Sequence, residues 1–537
     1  IVLPKLVECD RHLNIEILTQ SQVSAVKGNV GRFQISVEKK PRYIDEDKCI
    51  ACGICSEKCP IVLPDDFNFG ISRKRAIHIK YDQSIPLKYT IDPEACLFFT
   101  HGKCRACEKF CPTGAINFSQ KTQMLDLTVG AVILAPGFKP FDPRGHDFFG
   151  YDLSDVVTSL EYERMLSISG PNRGRLLRPS DRTEPQKIAW LLCVGSRNQN
   201  NCGNSYCSNI CCLASVKQSM ATAEQRTHQQ IERKIFFTDL RSQGKESEKY
   251  FERAKQDNVQ FVRALPHTME PGEDGTGVRM RYMTEQGESV HESFDLVVLS
   301  IGFEAPEDAE DFSRLFDIEL DRHCFAATSC FEPVETSRPG VFAIGAFQMP
   351  KTISRSVTQS AAAAASAARL LAGQRGTLTR SKHYPEEKVI DPKKPAVGVF
   401  VCSCGINIAG TIDVEQVVEE ARELNHVVYV ENNLFSCSAD AQKRITAKIE
   451  EYGLDRIVIA ACTPRTHEPL FQETLKNARL NGFMVEMANI RNQNSWVHQQ
   501  DRESATIKAR DQVRMAVAKV VHNYPLKQDP IKVNRSA

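Results

Sequence analysis

The chain has 537 residues, 25% of them charged and 42% hydrophobic, and its 68 Lys and Arg against 67 Asp and Glu leave a net charge of +1. That length exceeds one comfortable core and predicts three or four domains, while so even a balance leaves no concentrated basic field for a nucleic-acid partner. No apolar run approaches membrane-spanning length and no leader-like segment opens the chain, so a cytoplasmic protein that is not itself transmembrane is expected.

Residues 1–40 read as part of a domain that begins abruptly: 1–6 as the interior of a folded element, 12–19 as a short strand entry, and 30–39 as a strand with Phe33, Ile35 and Val37 on one face. Cys9 is most simply a buried or half-buried thiol.

The narrowest chemistry follows. Cys49, Cys52, Cys55 and Cys59 form C-x2-C-x2-C-x3-C with Pro60 behind, and Cys96, Cys104, Cys107 and Cys111 form a second set with Pro112 behind. Eight thiolates in that spacing resemble a bacterial ferredoxin with two [4Fe-4S] clusters, in which the last cysteine of each run ligates the other cluster. The resemblance assigns Cys49, Cys52, Cys55 and Cys111 to one cluster, and Cys96, Cys104, Cys107 and Cys59 to the other. Zinc is the competing metal, although it leaves the third cysteine and the proline of each run without a purpose. The module is expected over residues 41–120, inserted into an α/β domain whose remainder is 121–372. Twenty cysteines in a long chain without a leader point to thiolates on metal rather than to disulfides, and so to anaerobic or reducing surroundings.

Beyond the module, 129–135 reads as one buried strand closed by Pro136 and Gly137. Strands are expected at 188–194, 235–240, 259–262 and 296–301, with helices up to residue 227 and at 246–256, which makes a second nucleotide-fold lobe. No Gly-x-Gly-x-x-Gly fingerprint accompanies it, which limits any nicotinamide claim. Residues 340–345 predict a strand ending at Gly345, and 356–371 an Ala-rich helix with free N-H groups in its first turn. Residues 373–395 form a linker. A smaller α/β domain over 396–537 is predicted, with strands at 397–401, 427–430 and 456–460 and helices at 414–424, 441–452 and 505–520.

Two further cysteine groups stand out. Cys193 closes a strand, and Cys207, Cys211 and Cys212 precede or open a helix, with Cys202 as a substitute member. Adjacent Cys211 and Cys212 cannot point the same way on a regular helix, so a local distortion or an irregular cluster is expected. Ordinary buried thiols are the alternative. In the last domain Cys402, Cys404, Cys437 and Cys462 follow successive strands and would converge on one edge of a parallel sheet, with zinc again possible. Arg465, His467 and Glu468 are expected on the loop after Cys462, with His467 fixing that loop by hydrogen bonding or moving protons. Arg491 and Trp496 lie in a later polar stretch.

The inserted cysteine runs, the Cys193 to Arg197 segment with Tyr206 to Cys212, the stretch from Gly345 through Lys351 to Gln359, and the Cys402-Ser-Cys404-Gly405, Cys437-Ser438, Cys462-Thr-Pro-Arg465 and 486–491 segments are together similar to the A-type subunit of heterodisulfide reductase, a flavin and iron-sulfur protein of methanogenesis. The resemblance implies a thioredoxin-reductase-like FAD-type domain with an inserted two-cluster ferredoxin module, followed by a smaller α/β cluster-binding domain. It implies four [4Fe-4S] clusters, the third on Cys193, Cys207, Cys211 and Cys212 and the fourth on Cys402, Cys404, Cys437 and Cys462, with Gly345, Pro350, Lys351 and Gln359 toward FAD. No residue is assigned as catalytic.

It also implies an oxidoreductase subunit in a large hetero-oligomer with heterodisulfide reductase subunits B and C or relatives, a hydrogenase or formate dehydrogenase as electron source, and ferredoxin as an acceptor. Electron bifurcation at FAD would be its activity, and disulfide chemistry would sit on a partner subunit. A non-bifurcating subunit of a quinone-linked or sulfur-metabolising complex is the alternative. Two departures from the family pattern, a missing flavin-phosphate glycine motif and a first domain that comes last, predict a segment of a longer, duplicated or fused subunit. The family's separate C-terminal ferredoxin module is also missing.

Overall fold

The computed structural model describes residues 2–81, 84–167, 169–172, 174–197, 204–223, 231–242, 244–404, 406–527, 529, 531 and 533. The chain opens with a helix, α1 (Val2–Arg11). The strand expected at 12–19 is not there. Those residues lack a partner chain to complete a ladder, and the first strand, β1 (Ser21–Asn29), starts where Ser21 meets Lys39 on β2 (Arg32–Lys39). Phe33, Ile35 and Val37 are all buried on β2, as their alternation requires.

β2 also pairs antiparallel with β3 (Gln123–Val129), from Phe33 opposite Val129 to Lys39 opposite Gln123. The eighty-odd residues between Lys39 and Gln123 therefore leave one strand and return beside it, so the ferredoxin-type segment adds to the sheet without interrupting its register. The single buried strand expected over 129–135 is two pieces. β3 stops at Val129, Gly130 and Ala131 turn the chain, and β4 (Val132–Leu134) joins a different sheet. At Gly130 an added Cβ would lie 2.3 Å from a terminal methyl of Leu371, so a larger residue there would need that side chain to move.

The next lobe is a parallel α/β layer. It contains β5 (Val156–Thr158), α2 (Ser159–Leu166), β6 (Lys187–Val194), α3 (Cys211–Ala223), β7 (Glu232–Phe237), α4 (Ser247–Gln256) and β8 (Val259–Arg263). An antiparallel sheet of β9 (Thr268–Pro271), β10 (Val278–Met283) and β11 (Ser289–Phe294) follows, before β12 (Leu296–Ile301) returns to the layer. The parallel order is β5-β12-β6-β7-β8. Covered on both faces, its central strands are continuous apolar runs, and Trp190 at their heart is wholly buried.

β13 (Val341–Ala343) then pairs parallel with β4, and α5 (Ile353–Leu370) follows it, burying Ala363 against Val334 and Phe342. The last domain contains β14 (Val397–Cys402), α6 (Val414–Arg422), β15 (Val427–Asn433), α7 (Ala439–Glu451), β16 (Arg456–Ala461), α8 (Pro464–Asn477), β17 (Val485–Asn489) and α9 (Arg502–Val520). Its sheet is wholly parallel in the order β15-β14-β16-β17. Arg465, His467 and Glu468, expected on a loop, lie instead in the first turns of α8, where Pro464 opens the helix with the fixed φ that an initial turn accepts. Among the described residues no helix is long and apolar enough to cross a membrane.

Candidate metal centres

Two tight loops present the first thiolates. Ala51 (φ 55°) and Gly53 (φ 88°) take left-handed conformations between Cys49 and Cys55, which lets the chain curl within six residues. Cys55 then sits in a one-turn helix (Ile54–Glu57) and Cys107 in another (Ala106–Lys109). Burial pushes the Cys55 thiol up to about 12, and the nearby Cys49 and Cys52 add to the rise. Burial likewise takes Cys107 to about 11, with Cys96, Cys59 and Cys104 as its thiol neighbours.

Cys59 thus stands with the second run, as crossed ligation requires, and lines a small hollow together with Cys96, Cys104 and Cys107. Cys111 packs on the small core that contains Cys49 and Cys55. Burial works against its thiolate, but the N-H of Ala115, 3.3 Å from its sulfur, and the Thr113 hydroxyl outweigh that and lower its pKa.

In the second lobe the C-terminal end of β6 meets the N-terminus of α3. Cys193 takes φ 64° and aims its backbone out of the strand. Its neighbours are Cys212 and Cys207, and those of Cys211 are Cys193, Cys212 and Cys207, so all four assigned thiols converge. α3 is regular from Cys211 onward, so the distortion expected at Cys211 and Cys212 is not there; just before the helix Asn209 takes φ 59°, and its N-H donates to Cys207 Sγ at 3.3 Å. The Arg241 N-H donates to Cys212 Sγ at 3.4 Å, and the Arg197 guanidinium, ion-paired with Asp239, reaches Cys193 Sγ at 3.9 Å. Burial raises Cys193 to about 11 and Cys211 to about 12. Cys202 lies outside the described residues.

In the last domain Cys402 ends β14, Cys404 follows it, Cys437 lies between β15 and α7, and Cys462 follows β16. These are the carboxyl ends of parallel strands, where such sheets present ligands. Cys404 is flanked by Cys402 and Cys437, and Cys437 by Cys462 and Cys404. A hydrogen bond from Cys402 and the Arg491 guanidinium, 3.6 Å from Cys404 Sγ, hold Cys404 below the ordinary thiol value despite burial. Arg491 also stacks on Trp496, 4.7 Å from the ring centroid. Desolvation, with Arg491 and Arg11 nearby, depresses buried His467 to about 4, so it is neutral at pH 7. A neutral imidazole beside the cysteine loop suits the hydrogen-bonding role better than a proton carrier. Gly405 lies outside the described residues.

The four sets fit iron-sulfur cubes by the chemistry of their donors: each is made of four thiols, and Cys59 stands with the second run, as crossed ligation in a two-cluster fold requires. The hydroxyls of Ser196, Ser208 and Ser436 are also buried without a hydrogen-bond partner in the structure, and each stands beside a proposed ligand or its loop. Hydroxyls so placed suit donation to cluster sulfur, which otherwise leaves them at a cost.

The flavin candidates gather around one amide. Gln359 Oε1 accepts from the Gly345 N-H at 3.0 Å and from Lys351 Nζ at 2.6 Å, and Gln348 bonds both Lys351 and Gln359. Lys351 is 6% exposed. Desolvation, then Arg355, lowers its pKa to about 8. Gly345 has φ +67° and open space where a Cβ would stand, Pro350 is buried, and Thr352 caps α5 while Ile353 and Val357 remain exposed. A buried cation, a bare glycine turn and an exposed apolar helix end fit one side of a planar anionic cofactor.

Residues 46–115 match the 4Fe-4S dicluster domain family. The A 2 iron-sulfur subunit of CoB--CoM heterodisulfide reductase from Methanopyrus kandleri is 39% identical over 377 residues, which are 69% of this chain and 56% of that protein. The A-type subunit of H(2):CoB-CoM heterodisulfide,ferredoxin reductase from Methanothermobacter thermautotrophicus is 34% identical over 372 residues, 68% of this chain and 55% of that protein. The chain thus spans little more than half the length of these relatives. Among solved structures, Lactococcus lactis thioredoxin reductase aligns with 56% of this chain and 86% of its own at 17% identity and a TM-score of 0.31, too slight to bear on the fold. Through the sequence that it shares with these relatives, the chain belongs to the family of A-type heterodisulfide reductase subunits.

Proposed function

We propose that this chain carries electrons one at a time through four [4Fe-4S] clusters to and from a flavin, as part of a heterodisulfide-reductase-type oxidoreductase. The ligand sets are Cys49, Cys52, Cys55 and Cys111; Cys96, Cys104, Cys107 and Cys59; Cys193, Cys207, Cys211 and Cys212; and Cys402, Cys404, Cys437 and Cys462. The observation that carries the reading is the place of Cys59, which leaves its own run to line a hollow with the second one.

FAD, when bound, supplies exchange between two-electron and one-electron carriers. The chain's own part is placement and charge. Gly345 leaves room for close approach, Pro350 and the first turn of α5 form one wall, and the Lys351 ammonium, held by Gln348 and Gln359, stabilises negative charge beside them. Splitting of electron pairs between a ferredoxin and a disulfide acceptor extends this reading, with the disulfide reduced on a partner subunit, while electrons enter from a hydrogenase or formate dehydrogenase. The names of relatives, which include ferredoxin and H(2)/formate, support those partner classes.

The test is redox titration of the anaerobically purified native complex and its Lys351→Met variant, with flavin quantified per chain. A lowered flavin potential in the variant is expected, since an anion loses its cation. An unchanged potential with flavin retained removes Lys351 from the site, and absence of flavin from the native complex leaves the chain an iron-sulfur carrier alone.

A further inference from the structure

Lys88 is the most deeply placed cation of the inserted module, with 8% of its surface exposed. Its ammonium donates to the Cys49 carbonyl at 2.6 Å and to Asp440 Oδ2 at 2.8 Å. Cys49 opens the first thiolate run. Asp440 lies 352 residues away from Lys88, in the first turn of α7 and three residues beyond Cys437. One side chain therefore joins the cysteine loops of two domains. The seam beside it leaves a small open hollow, walled by Leu87 and Lys88 of the module, by Phe435 and Cys437 of the last domain and by Val7 of α1.

The contact has the physics of a latch. A buried ammonium is tolerated only with hydrogen-bond acceptors and a counter-charge, and Lys88 finds a carbonyl acceptor on one domain and the counter-charge on the other. Asp440 is itself favoured at the N-terminal end of a helix whose cap, Ser438, accepts the Ala441 N-H. α1 fastens the same seam from the side through Arg11 and Glu473, 3.3 Å apart.

We propose that this seam is an internal electron-exchange junction, in which Lys88 seats the Cys49 loop against the Cys437 loop. The site of Cys49, Cys52 and Cys55 and the site of Cys402, Cys404, Cys437 and Cys462 then pass single electrons directly within one chain. Each passage oxidises one [4Fe-4S] site by one electron and reduces the other by one, and no proton crosses the seam. The proposal rests on the cluster loading proposed above.

The experiment is electron paramagnetic resonance of the anaerobically prepared, reduced full chain, with iron counted in every sample. Spin relaxation of the module's signals should be faster in the parent than in Cys462→Ser, which lacks the last-domain cluster. Lys88→Met should lose that enhancement while retaining its iron. Asp440→Asn, which keeps the volume and the cation, should weaken it at least twofold and decides the matter if Lys88→Met does not fold. Equal relaxation in the parent and Cys462→Ser with both sites loaded, or an enhancement untouched by Asp440→Asn, would overturn the junction alone. A parent without iron at either site would overturn the cluster reading and the junction together.

Discussion

Between residues 41 and 120 the described residues make only one-turn helices and two- or three-residue strands, around a core of Ile44, Cys49, Cys55, Ile77, Ile91, Ala115 and Ile116. Between β14 and α9 the chain builds a complete parallel sheet with helices, and Cys402 and Cys404 are two members of a far larger, mostly aliphatic core. In the first region thiols are core residues, so whatever binds them is part of what holds the region together. In the second the thiols are a small part of a core built mainly from aliphatic side chains. Metal ligation and hydrophobic burial thus divide the work of folding differently in two regions proposed to do the same chemistry.

The largest expected effect separates the two. Stripping iron anaerobically with a chelator should remove stabilisation on the order of 10 kcal/mol from the module, so that its amides exchange freely while those of β14 and β16 stay protected. Loss of protection in both regions at once would abolish the contrast. Phe400→Ala tests the other side: a fully buried ring is worth about 3–5 kcal/mol, and its removal should lower the unfolding temperature of the last domain without releasing iron from the module.

Lys351 offers a third case, a buried charge held by the side-chain oxygens of Gln348 and Gln359. Its folded pKa of about 8 lies below the ordinary lysine value. The unfolded chain therefore binds this proton more tightly, and the charge costs stability in full below about pH 8, a cost that shrinks as pH rises from there and is gone above the unfolded value near 10.5. In the flavin-free chain, Lys351→Met should raise unfolding stability at pH 7 by on the order of 1–3 kcal/mol, less whatever the glutamine hydrogen bonds return, and the gain should vanish in titrations above pH 10. A destabilised variant at pH 7 would show those hydrogen bonds to outweigh burial. The smallest effect is Ser438→Ala, which removes the cap of α7 and should cost about 1 kcal/mol, read as earlier melting of the last domain alone.

The cysteine runs were legible because ligand spacing is written in consecutive residues, and the strands 188–194 and 296–301 because a doubly covered strand is an unbroken apolar run. What escaped depended on partners distant in the chain. Residues 12–19 have strand-like composition but no ladder to join, and the break at Gly130 separates a strand paired with β2 from one paired with β13. β10 was readable, since Val278, Met280 and Tyr282 alternate with exposed Arg279, Arg281 and Met283. α8 was masked by the cysteine loop before it and by Pro469 within it. Lys88 carries no local signal at all, because its role depends on an aspartate in another domain.

The account stands most directly on what the sixteen assigned thiols hold. Mössbauer spectroscopy with metal analysis of the anaerobically produced full chain is expected to give about sixteen iron atoms per chain, all in [4Fe-4S] signals. Zinc in place of iron, or no metal between Cys49 and Cys111, would contradict it.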